Sequence, residues 1–468
     1  MTSIYSARWV LPISSGVIKD GAVATDDSKI VALGPRFEVI SRFPDARISD
    51  FGQAAILPGF VNAHSHLELT VMRGLLENEE RDFPAWLRKL TLARMAMTDG
   101  DLLVSAICGA AEAARAGVTC FGDSSSSALQ TMKALQEVGL RGIVYQESFG
   151  PDPKLAGENV AKLRKHIEEL RGLETDLVRA GVSPHAPYTV SARQLELLSR
   201  LAVDEKLPVM MHAAESQAEK LFMLEGHGVF AEGLKSRGIE WQAPGISTIE
   251  YLGRHGILET QPLLAHCINV DDGDLELIRQ SGAGIAHCPK SNAKLGHGCA
   301  PFGKFLSHGL NVGLGSDSVA SNNTCDILEE ARFATLLARL QAGNADVSSA
   351  LSAQREQFGD AASAPITAEQ SLFAATLGGA RALGLDDQIG ALAEGKQADV
   401  TVVALNGTHQ HPVRDPTDTL VFSSSGRDVL MTMVAGKEIY HQGRVGEVNE
   451  DDLSRRIAGI QTSFQSNV

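Results

Sequence analysis

From about Leu57 to Gly384, short apolar runs alternate with longer stretches of helical periodicity. The runs are ILPGFVNAH, VTCFGDSS, GIVYQES, RAGVSPHA, LPVMMHAAE, PLLAHCIN, GAGIAHCP and NVGLGSDS, eight in all. Each is bounded by Gly, Pro or polar residues, as strands buried on both faces should be. Between them lie amphipathic stretches such as DLLVSAICGAAEAARAG, SARQLELLSRLAVDE and DDGDLELIRQSG. Eight strands alternating with helices predict an α/β fold, a (β/α)8 barrel of the TIM type over residues 57–387. A doubly wound sheet is disfavoured, because neither GxGxxG nor GxxxxGK followed by Ser or Thr is present.

The two ends follow another pattern. Residues 1–56 carry the strand-like segments SARWVLP, GAVATDD and KIVALG, with turn residues between them. Residues 388–447 do the same with IGALAEGKQADVTVVAL and VLMTMVAGKEIYHQG. Both ends read as antiparallel β structure without helices of note, and they are expected to pair into one small β-sandwich. The stretch NEDDLSRRIAGIQTSFQ opens with a capping signature and predicts a helical tail over residues 448–468.

Composition narrows the class. The chain is 44% hydrophobic and 21% charged, which fits a globular protein in water. A net charge of −15 repels a nucleic-acid backbone, and no Lys/Arg-rich stripe overrides it. The six cysteines form no CxxC pair, so reduced thiols in a cytoplasmic protein are the simplest account. No apolar run reaches the span of a membrane, and the N-terminal residues lack a secretory pattern. A cytoplasmic enzyme with no nucleic-acid or membrane partner is therefore expected.

In a (β/α)8 enzyme the active site lies at the C-terminal ends of the strands. His64 and His66 stand at i and i+2 on the first strand and share one face. His185 ends the fourth run, and His212 the fifth, with Glu215 three residues on. His266 ends the sixth, His287 the seventh, and Asp317 the eighth. Six of the fourteen histidines thus fall on one rim, which a random scatter would not produce. Imidazoles with a carboxylate suit zinc, iron or nickel, so His64, His66, His212 and Asp317 are predicted to hold one divalent ion. Such an ion lowers the pKa of its water from 15.7 to roughly 7, on the order of 12 kcal/mol of easier deprotonation. The target is then an electrophilic carbon in an amide, amidine, aryl halide or ester. Glu215 and His266 stand beside that water as proton carriers, and with Asp317 they are the candidate catalytic residues.

The segments PGFVNAHSHLEL, SPHAPYT, HAAES, LAHC, HCPKSNAKLGHGCAPF, GLGSDS and EGKQADVTVV together resemble the amidohydrolase superfamily, specifically its deaminase and chlorohydrolase branch. The resemblance covers nearly the whole chain. It implies a mononuclear site of His64, His66, His212 and Asp317, with zinc ahead of iron. It implies Glu215 as proton shuttle, His266 as the group polarising the water, and His185 in contact with substrate. Binuclear members place a bridging lysine at the end of strand four; here that tip reads SPHAPY, and Lys290 follows strand seven. One ion is favoured over two. The unrelated zinc deaminases carry a PCxxC motif that is absent here.

The implied activity is hydrolytic deamination of an amino-substituted N-heterocycle. The candidates are adenine-type nucleoside derivatives such as aminofutalosine or S-adenosylhomocysteine, or a purine or pterin. A chlorohydrolase or cyclic-amide hydrolase would use the same site. A non-catalytic scaffold is disfavoured, because every ligand position is filled. Barrels of this family often pair, so a homodimer is also implied. In nucleoside-type relatives a helix after strand one carries an acid for the ribose hydroxyls. The comparable stretch here, FPAWLRKLTLARMAMTDGD, offers Arg88, Lys89 and Arg94. That departure fits a substrate bearing a carboxylate, with Arg94 as its partner, unless the cluster is an exposed helix face. Trp86 either stacks on a heterocycle or anchors the helix. Ser291 and Asn292 are expected to donate hydrogen bonds to the substrate.

Overall fold

The computed structural model describes residues 2–350 and 365–467. Five strands open the chain: β1 (Ser3–Val10), β2 (Ile18–Asp26), β3 (Lys29–Pro35), β4 (Arg47–Asp50) and β5 (Ala54–Pro58). Eight more follow, one for each apolar run: β6 (Phe60–Ser65), β7 (Val118–Ser125), β8 (Arg141–Ser148), β9 (Val178–Pro184), β10 (Met210–Ala213), β11 (Leu263–His266), β12 (Gly284–His287) and β13 (Asn311–Leu314). The last four are β14 (Val400–Ala404), β15 (Val429–Val434), β16 (Lys437–His441) and β17 (Arg444–Val445).

The middle eight form two four-stranded parallel sheets, β6–β9 and β10–β13, each in sequence order. Parallel bridges Val182↔Val209 and Ser65↔Asp317 link the two sheets at both edges. Asn62 reinforces the second junction: its Nδ2 donates to Ser316 Oγ (2.7 Å) and its Oδ1 accepts from the Ser316 N–H (3.0 Å). The interior is aliphatic and small. Val61, Ala63, Cys120, Ile143, Met210, Ala265 and Ala286 cluster there, joined by Leu383, Leu385 and Ile389 from beyond the eighth strand. Helices such as Asp99–Arg115 and Ala128–Val138 cover the outer face.

The ends pair as expected in composition but differ in direction. β14 runs antiparallel between β5 and β15, so both ends of the chain share one nine-stranded sheet. Within it, β1 pairs parallel with β4 and with β5, contrary to an all-antiparallel arrangement. Two helices also went unannounced by periodicity. One is α1 (Arg36–Arg42), whose Val39 covers Ile4, Ala22, Ala24 and Ala32. The other is Pro416–Ser423, capped by Asp415, which accepts from the N–H groups of Thr417 and Asp418. Helices of two turns hold no full hydrophobic repeat, so tertiary packing rather than pattern sets them.

The run ILPGFVNAH is not one strand. It breaks at Gly59 between the end sheet and the barrel. A Cβ there would stand 2.1 Å from the Thr119 side chain, so glycine alone fits the crossing. Between Phe83–Met95 (α2) and Asp99–Arg115 (α3) the chain turns at Thr98, which caps α3 with a reciprocal Asp101 contact. The tail helix, Glu450–Asn467, lays Ile460 and Phe464 against Leu69, Met72 and Trp86. Among the described residues no helix is long and apolar enough to cross a membrane.

One buried ion pair joins the two sheets' worth of structure. Arg141, at the start of β8, grips Asp399 through Nε (3.0 Å) and Nη2 (3.1 Å), and Asp399 also accepts the Ala435 N–H. Both side chains are almost wholly buried. Replacing Asp399 by Ala leaves a guanidinium without a partner. We expect a loss of about 3–5 kcal/mol, read as a lowered denaturation midpoint, whereas breaking an exposed pair such as Lys162–Glu158 should leave that midpoint unchanged.

Candidate functional site

The alternation of β6 sends His64 and His66 to one side and Ser65 to the other, where its Oγ donates to Asp123 Oδ2 (2.6 Å). The two imidazoles meet His212 from β10 and Asp317 from the turn after β13. His64 Nε2 lies 3.4 Å from Asp317 Oδ1, and His66 Nε2 lies 3.5 Å from the same oxygen. His66 Nε2 and His212 Nε2 face each other at 3.3 Å. Ring centroids of His64 stand 4.9 Å from His66 and 5.0 Å from His212. These four residues, distant in sequence, share one point in space.

The surroundings leave the facing atoms available. His212 Nδ1 is 2.9 Å from the His185 carbonyl, a contact that places the proton on Nδ1 and the lone pair on Nε2. Asp317 Oδ2 accepts from Ser291 Oγ (2.5 Å) and Ser321 Oγ (2.9 Å), which leaves Oδ1 for the cluster. His64 is fully buried, and neither of its ring nitrogens has a hydrogen-bond partner among the described residues. Burial lowers its pKa to about 4, so the ring is a neutral donor of a lone pair. A neutral His64 Nε2 aimed at Asp317 Oδ1, with His66 Nε2 aimed at the same oxygen, is a donor set that suits a divalent cation.

Several site residues sit on left-handed backbone: Ala214 (φ 53°), His266 (φ 75°), Cys267 (φ 47°) and Asp317 (φ 57°). Such non-glycine conformations persist only where the surroundings enforce them. Glu219 enforces the first. Its carboxylate accepts the N–H groups of Ala214 (2.8 Å) and Glu215 (3.0 Å) and the Thr248 hydroxyl (2.6 Å). Burial pushes the Glu219 pKa up to about 7. The turn so held delivers Glu215, whose Oε1 lies 3.7 Å from His266 Nε2. His266 is oriented in turn by Asn292, with Nδ1 2.9 Å from Asn292 Oδ1. The His266 ring is 5.6 Å from those of His64 and His212.

A cavity of about 440 Å³ opens above the cluster, within the range of small-molecule sites. His66, His185, His212, Glu215, His266 and Asp317 line its floor. His185 is held by Thr189 Oγ1 (2.9 Å) and lies under Phe149 (centroids 4.6 Å). One face of α2 forms the roof: Phe83, Trp86, Leu87, Leu90 and Arg94 all border the cavity. Trp86 is both wall and anchor, since it is 95% buried and stacks on Phe83.

Other expectations are redistributed. Ser291 and Asn292 do not border the cavity; they stand behind it and hold Asp317 and His266. His287 packs against Phe302, away from the cluster. Of the basic residues on α2, Arg88 is exposed and Lys89 pairs with Glu79 (3.1 Å), so only Arg94 reaches the cavity. Its Nε already contacts Glu68 (3.2 Å) and its Nη2 Ser127 Oγ (2.7 Å). Sequence reasoning passed over Glu147, which ends the third run as histidines end others. It borders the cavity, accepts from Ser126 Oγ (2.5 Å), and lies 3.9 Å from His66 Nδ1. It also passed over Tyr188, Phe149, Glu219 and His297.

The amidohydrolase family model matches residues 55–439. The 5-methylthioadenosine/S-adenosylhomocysteine deaminase of Nitratidesulfovibrio vulgaris (strain DSM 19637 / Miyazaki F) is 32% identical over 451 residues, 95% of this chain and 93% of that protein. An adenosine deaminase from Xanthomonas campestris, solved with bound zinc, superposes with a TM-score of 0.84 at 26% identity, covering 99% of this chain and 98% of that one. The zinc complex of an atrazine chlorohydrolase from Arthrobacter aurescens TC1 has a TM-score of 0.81 at 21% identity, covering 98% of this chain and 99% of that one.

Protein stripped by a chelator should take up one zinc ion per chain and gain thermal stability as it does. His212→Ala and Asp317→Ala should each lower that affinity at least about 100-fold in a competition titration with a metal-sensitive dye, and a stoichiometry near two would contradict the single-ion assignment.

Proposed function

Because the chain belongs to the amidohydrolase family, we propose that it is a hydrolytic deaminase that releases ammonia from an amino-substituted N-heterocycle. The observation that carries this is the pairing of Glu215 with His266 (3.7 Å) on the floor of a cavity that His66, His185, His212 and Asp317 also line, with His64 buried beside them. Those four residues would hold one ion, and zinc is favoured over iron by the imidazole and carboxylate set and by the zinc-bound neighbours. A divalent ion there supplies Lewis acidity and lowers the pKa of a coordinated water.

The protein's own groups do the rest. Glu215 accepts a proton from the attacking water and passes it to the ring nitrogen next to the amino-bearing carbon. His266, locked by Asn292, orients that water and stabilises the oxygen as it adds. His185 borders the heterocycle. Asp317, with Oδ2 occupied by two serine hydroxyls, presents Oδ1 only. Glu215 then takes the proton of the newly added hydroxyl and delivers it to the amino group, so that the C–N bond breaks, the carbonyl forms and ammonia leaves. α2 covers one side of the cavity with Phe83, Trp86, Leu87 and Leu90, which lowers the polarity around these groups. The chlorohydrolase alternative is less favoured, because the deaminase of Nitratidesulfovibrio vulgaris is 32% identical whereas the atrazine chlorohydrolase shares the fold at 21% identity.

For the substrate, the roof is the guide. Apart from Arg94 it is apolar and aromatic, and the Arg94 charge is already met by Glu68. We therefore favour an adenine-type nucleoside whose sugar carries an apolar or aromatic substituent. The same reading takes residues 57–387 as a closed catalytic barrel, 1–56 with 388–447 as a β-sandwich and 448–468 as a helical tail. The bridges at both sheet edges support it, as does the apolar cluster shared by Tyr5, Val10, Val23, Ile56, Val400 and Met431.

Glu215→Gln should keep its metal and lose about 10²–10⁴-fold in kcat, measured as ammonia release. A variant with full activity would remove the shuttle from the mechanism. Among substrates, a 5′-methylthio nucleoside should exceed adenosine by about 10-fold or more in kcat/KM, as expected when an apolar group enters an apolar pocket.

A further inference from the structure

His297 has no part in the steps above, yet it stands directly against them. It follows helix Pro289–Lys294, at a turn made by Gly296 in the left-handed region (φ 67°). Its N–H donates to the Asn292 carbonyl (2.9 Å), which fixes where the residue leaves the turn. The side chain is 7% exposed, and its Nε2 lies 3.6 Å from Glu215 Oε1. That nitrogen has no hydrogen-bond partner among the described residues. The same Glu215 oxygen faces His266 Nε2 at 3.7 Å, so it sits between two imidazoles. The opposite side of the contact matters as well: the His297 ring packs edge-on against Phe83, the first residue of α2, with centroids 4.5 Å apart.

A polar nitrogen sealed from solvent without a partner is costly, and the nearest acceptor is a carboxylate a few tenths of an ångström beyond bonding distance. Hydrogen bonds in ligand-free sites are often long and tighten when substrate arrives. Pressure on Phe83 from a ligand under α2 would push this ring towards Glu215. We propose that His297 is a positioning residue: its Nε2–H holds Glu215 Oε1 from behind and couples that carboxylate to the seating of α2. The proposal rests on Glu215 being the proton carrier. It makes the segment Ser291–His297 a single cradle, in which Ser291 holds Asp317, Asn292 holds His266 and His297 holds Glu215. A carboxylate restrained at one oxygen keeps the other free for proton traffic, with no search over rotamers in each turnover.

Two variants separate this role from simple packing. His297→Phe keeps the ring and its contact with Phe83 but removes the N–H; His297→Gln restores an N–H donor. Structures of the zinc-loaded wild type and of His297→Phe should show Glu215 Oε1 bonded to Nε2 in the first and the carboxylate rotated away in the second. In ammonia release from 5′-methylthioadenosine, His297→Phe should lose about 10- to 100-fold in kcat while KM and zinc content stay within about threefold. His297→Gln should recover a large part of that loss. An unmoved Glu215 in His297→Phe, or a kcat within about twofold of wild type, would overturn the proposal. If the wild type releases no ammonia, the deaminase reading fails, and the Glu215 conformer in the two structures still decides this one.

Discussion

Lone pairs crowded together without protons to share repel one another, and the centre of this barrel is built from such a crowd. His64 and His66 each bring Nε2 to 3.4–3.5 Å from Asp317 Oδ1, and His66 faces His212 at 3.3 Å, all at the bottom of the cavity. The single cation proposed above would reconcile that geometry with folding. Much of the rim makes sense as scaffolding for it. Ser291 and Ser321 occupy one oxygen of Asp317, the His185 carbonyl selects the tautomer of His212, and left-handed backbone at Ala214, His266 and Asp317 turns the chain where side chains must converge.

The catalytic half of the chain was legible because its physics is periodic and local. Each barrel strand is a short apolar run, and each run ends where a polar residue can meet solvent, so HxH, HAAES and GLGSDS announce themselves. The end sheet was less legible. Whether β1 meets β4 in parallel or antiparallel fashion depends on partners distant in sequence, and nothing within SARWVLP encodes it. Ser291 and Asn292 misled for a related reason. A hydroxyl or amide in an active-site loop offers the same donors to a ligand and to a neighbouring side chain, and only the fold decides which it meets. Glu147 could have been found, since it ends GIVYQES as histidines end other runs.

The contrast between Arg94 and the rest of α2 shows how charge can be present without being offered. Glu68 is buried and takes the Ser126 and Ser127 N–H groups, the Ser125 hydroxyl and Arg94 Nε at once. The arginine is therefore tied to Glu68 and Ser127 at the edge of the cavity, beside the aromatic face of Phe83 and Trp86. Sequence shows the cation; only the structure shows that its counter-ion is already seated.

The sheet built from both chain ends has a consequence during synthesis. Strand β5 leaves the ribosome early, but β14, its neighbour across the ladder, follows some 340 residues later. At about 5–20 residues per second, the edge of β5 waits on the order of tens of seconds. Once β13 is made, the nascent chain carries an open, fully apolar strand, AAILP, beside all eight of the parallel strands β6–β13. Chaperone demand should therefore peak between the synthesis of β13 and that of β14, when the parallel strands are complete and the neighbouring sheet is not.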